Sequence, residues 1–114
     1  MQVIFTIIVN MSFAAKSLFG KRLREARTRA GMAQDVLGVL IGLDEGCSSA
    51  RISRYETGIH EPPFKTARLI ADALKLPVTY FYCPQDEVAE ILVATYKMTD
   101  DELKAVLEFA SKLR

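Results

Sequence analysis

Few side chains of this 114-residue chain could make or break a covalent bond. His60 is its one histidine, and no G-x-S-x-G or H-E-x-x-H pattern accompanies it, so acyl transfer and metalloprotease chemistry lack their parts. Cys47 and Cys83 form no C-x-x-C pair. With a single histidine they fall short of a four-ligand zinc site, and they read as two reduced cytosolic thiols. Asp100, Asp101 and Glu102 are adjacent carboxylates, but acids in a row favour the positive end of a helix. The phosphate-cradling glycine patterns of nucleotide sites are missing, so neither a cofactor nor a small-molecule ligand is expected. What remains is hydrogen-bonding chemistry. Gln34 precedes the run Ser48, Ser49, Ala50, Arg51, Ile52, Ser53, Arg54. Amide, hydroxyl and guanidinium groups at that density suit phosphate oxygens and base edges.

Helices must position these residues. Phe19, Leu23, Ala26 and Ala30 recur at helical spacing, which predicts a first helix over 12–30 that stops at Gly31. Residues 33–41 form a short second helix. Gly42 to Cys47 reads as a loop, with Asp44-Glu45-Gly46 as its turn. Ser48 then caps a third helix that ends at Gly58. After Pro62-Pro63, residues 64–75 place Phe64, Ala67, Ile70, Ala71 and Leu74 on one side of a fourth helix. Pro77 opens a short fifth, VTYFY, and Pro84 closes the block. Two amphipathic helices follow. The first carries Val88, Ile91, Leu92 and Thr95 on one face. The second starts at the capping box Thr99-x-x-Glu102 and carries Leu103, Val106, Leu107, Ala110 and Leu113. The class is all-α: five short helices in residues 12–84 and a two-helix extension in 85–114.

Residues 1–11 differ from the rest. MQVIFTIIVN is apolar, but a bilayer span needs about 20 such residues, and the segment lacks the basic start and cleavage site of a secretion signal. Its β-branched residues favour a strand. Either this strand pairs with that of a second subunit, or translation starts at Met11.

Two short helices joined by a glycine-containing turn, the second polar and small-sided at its start, describe a helix-turn-helix. At this point the residues become specific. GMAQDVLGVLIG, SSARISRYETG and PPFKTARLIADALKLP together resemble the lambda-repressor-like helix-turn-helix family, of the Cro/repressor and xenobiotic-response-element type, over residues 18–82. The resemblance implies a double-stranded DNA partner, no cofactor, and a cytoplasmic regulator of a bacterium or phage that acts as a repressor. By position it implies that Gln34 touches phosphate and braces the base readers. Ser49 and Ala50 would face bases first, and Arg54 one turn later. Arg51 and Ser53 would reach phosphates or neighbouring bases, with Ser48 beside them. Arg27 would pair with Glu56, while Leu37, Ile52 and Ile70 would be core. Chemically, Arg54 is the best base reader, Ser49 can donate or accept, and Ala50 can only meet a thymine methyl.

The sequence also departs from that pattern. Ala33 stands where the family has a capping Ser or Thr, and Gly38 where it has Ala. The turn is about four residues longer than the usual short link, and its Asp44 and Glu45 would repel DNA. Ile59, His60 and Glu61 follow Gly58 where relatives carry phosphate-gripping bases.

The net charge of +1 hides a division: residues 16–29 carry +5 and residues 85–114 carry −3. A basic first helix beside a helix-turn-helix suggests one end toward DNA and the other toward a second subunit. Members of the family bind as two-fold dimers. The expected homodimer interface is Val88, Ile91, Leu92, Leu103, Val106, Leu107 and Ala110; the other arrangement folds both helices back on their own domain. The acids in the turn and after Gly58 keep a second function open, a protein-interaction module of the same fold (an antitoxin-like or phage accessory regulator). No catalytic set argues for an enzyme.

Overall fold

A computed structural model describes residues 17–114, so the expected strand and residues 12–16 of the expected first helix lie outside the described residues. Helix α1 (Leu18–Arg29) begins where Ser17 turns extended and its hydroxyl accepts the Gly20 N–H at 2.9 Å. It ends in a left-handed Gly31, with Gly31 N–H bonded to Thr28 O and Met32 N–H to Arg27 O. This paired closure satisfies carbonyls that the last turn would leave bare. Helix α2 (Gln34–Leu40) starts from Ala33 with no side-chain cap and closes in the same way at Gly42. Helices α3 (Glu45–Thr57) and α4 (Phe64–Leu74) follow, then a 3-10 helix (Val78–Tyr82), α5 (Asp86–Tyr96) and α6 (Asp100–Ser111). Thr99 and Glu102 form the reciprocal capping box at α6.

Helix α3 starts earlier than the sequence reading placed it. Asp44 takes the extended conformation of a cap, and Glu45, Gly46 and Cys47 form a first turn ahead of Ser48. Asp44-Glu45-Gly46 starts the helix instead of forming the turn, a position in which the helix dipole favours acids. The link from α2 shrinks to Ile41–Asp44, and the extra residues lengthen α3. VTYFY is helical but wound as 3-10.

The core joins Phe19, Leu23 and Ala26 of α1 to Leu37, Ile52, Tyr55, Ala67, Ile70, Ala71, Leu74, Tyr80, Phe81 and Ala89. Phe19 stacks on Phe81 at 5.1 Å between ring centroids. Helix α5 enters this core through Ala89, with Val93 packed beside it, rather than through its bulkier Val88 and Ile91. Helix α6 buries none of its residues.

Glycine at position 38 is required by packing. A Cβ built there would lie 2.8 Å from Ser48 Cα and 2.9 Å from Ser48 C, so α2 and α3 cross with their backbones in contact. Gly38→Ala gains helix propensity of up to about 1 kcal/mol, but overpacking at such a crossing costs about 1–3 kcal/mol. A net loss of stability in urea denaturation is the expected outcome.

Charge on α1 is largely used inside the protein. Buried Arg22 donates from Nε and Nη2 to the Cys83 carbonyl at 3.0 and 2.8 Å. It pairs with Glu25 at 3.2 Å and with Asp86 at 2.9 Å. Lys21 also reaches Asp86, and Arg29 pairs with Glu90 at 2.9 Å. Lys21, Arg22 and Arg29 of the basic helix thus hold acids of α5. These partners come from sequence-distant helices, which a charge sum by segment cannot reveal. The Arg22 hydrogen bond and the nearby Lys21 hold the Asp86 carboxyl below the usual range. A depressed carboxylate pKa stabilises the fold above the unfolded value near 3.9 and loses that contribution as pH falls through the folded one. Asp86→Asn should thus lower the urea midpoint at pH 7, and its effect should shrink as pH falls below the usual carboxylate range and the wild-type carboxyl takes up its proton.

Candidate nucleic-acid interface

Helices α2 and α3, joined at Gly42, present one shared polar surface. Its base is a chain of hydrogen bonds that starts in the half-buried interior. Arg27 of α1 grips both oxygens of Glu56, through Nε to Oε2 and through Nη2 to Oε1 at 3.1 Å. Its Nη1 donates to Met32 O at 2.8 Å, which ties α1 to the loop before α2. The Glu56 side chain is 4% exposed and that of Arg27 16%. The hydrogen bond it donates to Glu56 raises the Arg27 pKa against a smaller opposing effect of burial, so the guanidinium stays charged. Gln34 then donates from Nε2 to Glu56 Oε1 at 3.2 Å, and the Ser49 hydroxyl donates to Gln34 Oε1 at 3.2 Å.

This chain ends at the solvent face of α3. Ser49, Ala50, Arg51 and Arg54 are exposed, and Ser53 is half-buried. Among the described residues, Arg51 and Arg54 make no ion pair, not even with Glu45 or Glu61. Two free guanidiniums one helical turn apart are donors suited to phosphate oxygens or to guanine O6 and N7.

Ser48 does not belong to this face. It is fully buried against Gly38, and its hydroxyl donates to Glu45 O at 3.3 Å within its own helix. Because α3 starts one turn earlier, Ser48 is an interior residue of the α2–α3 crossing, neither a cap nor a contact to a ligand. The sequence reading also missed Arg22. Its signal was present, since Arg22 falls three residues after Phe19 on the apolar stripe of α1. Asp44, Glu45 and the Ile59-His60-Glu61 segment are all exposed. Cys47 and Cys83 are free thiols, and the described residues hold no cluster of three potential metal ligands.

The profile of a family described as "Helix-turn-helix domain" matches residues 18–79, from the first residue of α1 into the 3-10 helix. The chain belongs to the helix-turn-helix family. Within this helix-turn-helix domain, α2 and α3 are the two helices of the motif, and the outward face of α3 is the one just described. Helices α5 and α6 lie beyond the match. The fold is also similar to the crystal structure of transcriptional regulator BswR, with a TM-score of 0.77 and 40% sequence identity. The likeness covers 82% of this chain and 93% of that one. A search of curated proteins finds no match. Among the described residues no helix is long and apolar enough to cross a membrane.

Proposed function

We propose that this helix-turn-helix protein is a sequence-specific DNA-binding transcriptional regulator of the lambda-repressor-like type, acting in the cytoplasm as a repressor. It would occupy a palindromic operator as a homodimer. The observation that carries this reading is the outward face of α3, where Ser49, Ala50, Arg51 and Arg54 are exposed and Gln34 is braced behind them. Arg54 would read guanine, Arg51 and Ser53 would hold phosphate, and no bond-making step is involved. The similarity to a transcriptional regulator supports the assignment.

The dimer is argued from the C-terminal element, residues 85–114. Leu103, Val106, Leu107 and Phe109 are exposed on α6, as is Leu113 just past its end, and Ala110 lies between them. Val88 and Ile91 are exposed on α5, while Leu92 is half-buried. A two-fold pairing through α6 would cover that stripe and set two α3 helices about one turn of DNA apart, roughly 34 Å.

Selection from random duplex DNA at two salt concentrations tests the function. An enriched palindrome, with an affinity that falls steeply as salt rises, is the expected result. Arg54→Ala should relax the preference at one base pair by about 1–3 kcal/mol and leave the others intact. Exposed Asp44 and Glu45 at the start of α3 favour a second reading, a protein-interaction module of the same fold. No enrichment and no salt dependence would leave that reading in place.

A further inference from the structure

We propose that Ser49 reads its base only as a hydrogen-bond acceptor, with its polarity set by the relay Arg27–Glu56–Gln34, so that an exocyclic amine stands opposite it in the half-site. The inference rests on the DNA-binding reading above. It fixes what that reading left open, since a serine hydroxyl by itself can donate or accept.

The polarity follows one group at a time. Ion-paired with Arg27, Glu56 is an acceptor only. The Gln34 group facing it at 3.2 Å must therefore be the amide nitrogen, which orients the whole side chain. A flipped amide would set a carbonyl oxygen against a carboxylate oxygen. With the nitrogen anchored there, Gln34 Oε1 faces Ser49, and the Ser49 hydroxyl donates to it at 3.2 Å. Serine has one hydroxyl hydrogen. Once that hydrogen is committed to Gln34, only lone pairs remain on the exposed side of Ser49.

In the major groove, adenine N6 and cytosine N4 are donors, whereas guanine O6, guanine N7 and thymine O4 are acceptors. An acceptor-only serine can pair with adenine or cytosine on the strand it faces. Against guanine or thymine it sets lone pair on lone pair, and this repulsion adds to the discrimination. Turning the hydroxyl toward a keto group would leave Gln34 Oε1 without its donor, and Gln34 cannot turn to compensate while Glu56 holds its nitrogen. Ser49 is thus the specificity-determining residue of the pair, and Gln34 is a positioning residue that acts through it.

The test begins with a site selected from random duplex DNA by the full chain. The base pair read by Ser49 is the one whose preference disappears in Ser49→Ala. Fluorescence anisotropy then compares that duplex with one in which the facing base lacks its amine, purine for adenine or 2-pyrimidinone for cytosine. Wild type should lose about three- to tenfold in affinity, the value of one hydrogen bond, and Ser49→Ala less than about twofold. Gln34→Met releases the hydroxyl hydrogen, so selection with this variant should also admit the reversed pair, which sets thymine or guanine opposite Ser49, while the other positions keep their preferences. A general structural defect would weaken all positions alike. A Ser49-dependent pair at which wild type tolerates loss of the adenine or cytosine amine, but not loss of the thymine or guanine keto oxygen, overturns the proposal. So does the absence of any Ser49-dependent pair, an equal loss on amine removal in Ser49→Ala, or an unchanged preference in a folded Gln34→Met. If Gln34→Met does not fold, the amine series on wild type and Ser49→Ala decides alone. A wild type that enriches no sequence would instead defeat the DNA-binding reading itself.

Discussion

Arg27→Ala is expected to destabilise the domain by about 3–5 kcal/mol, the cost of leaving one partner of a buried ion pair without the other. The partner left behind is Glu56, the more buried of the two, whose oxygens would retain a single donor from Gln34. Arg27 also ties the α2 entrance to α1 through Met32 O, so its loss loosens two junctions. Glu56→Ala should cost less, because Arg27 keeps more exposure and its bond to the Met32 carbonyl. The double variant should cost less than the two single losses added together, since both delete one interaction. Urea midpoints of the four proteins measure this cycle. Strictly additive losses would mean that the pair is not coupled. The effect matters for the proposed function because Glu56 also orients Gln34. A variant that folds without the pair should keep its affinity for DNA in general better than its preference among sequences.

The helices and most of the core could be read in advance because the period-3.6 pattern and the Gly and Pro stops are local properties. Leu37, Ile52 and Ile70 are fully buried, and Gly31 and Gly58 are left-handed. The start of α3 could not be read. Asp44-Glu45-Gly46 suits both a turn and a helix start, and local propensity does not separate the two. In the folded chain Ser48 lies against Gly38 one turn inside α3, with Glu45, Gly46 and Cys47 ahead of it. The sequence contained both residues but not their distance. Helix α1 shows the same limit for charge. Its excess of arginine and lysine is plain in the sequence, but Asp86 and Glu90 pair with three of its cations from a helix more than fifty residues away. On α5 the large apolar residues drew attention, yet small Ala89 is the one that fits against the core. The free face of α3 was legible by type, Ser48 excepted, because a buried hydroxyl and an exposed one look alike until the helix start is known.

Charging the α6 stripe should separate the two subunits of the proposed dimer. Leu103 and Leu107 lie one turn apart on α6, 40% and 68% exposed. Covering a leucine of this kind is worth about 1.5–3 kcal/mol, and two-fold symmetry makes every contact count twice. Leu103→Glu with Leu107→Glu removes that gain and would bury four carboxylates near the axis. The expected product is a monomer in analytical ultracentrifugation. Its affinity for a two-half-site operator should fall about 10²–10⁴-fold through loss of avidity, while each half-site keeps its base preference. Thermal stability separates this outcome from misfolding. Among the described residues α6 holds no buried residue and adds none to the core formed by α1 to α5, so that core should keep its packing. A double variant that melts like a weakened domain would place α6 against its own core. One that melts normally yet remains a dimer would move the interface away from α6.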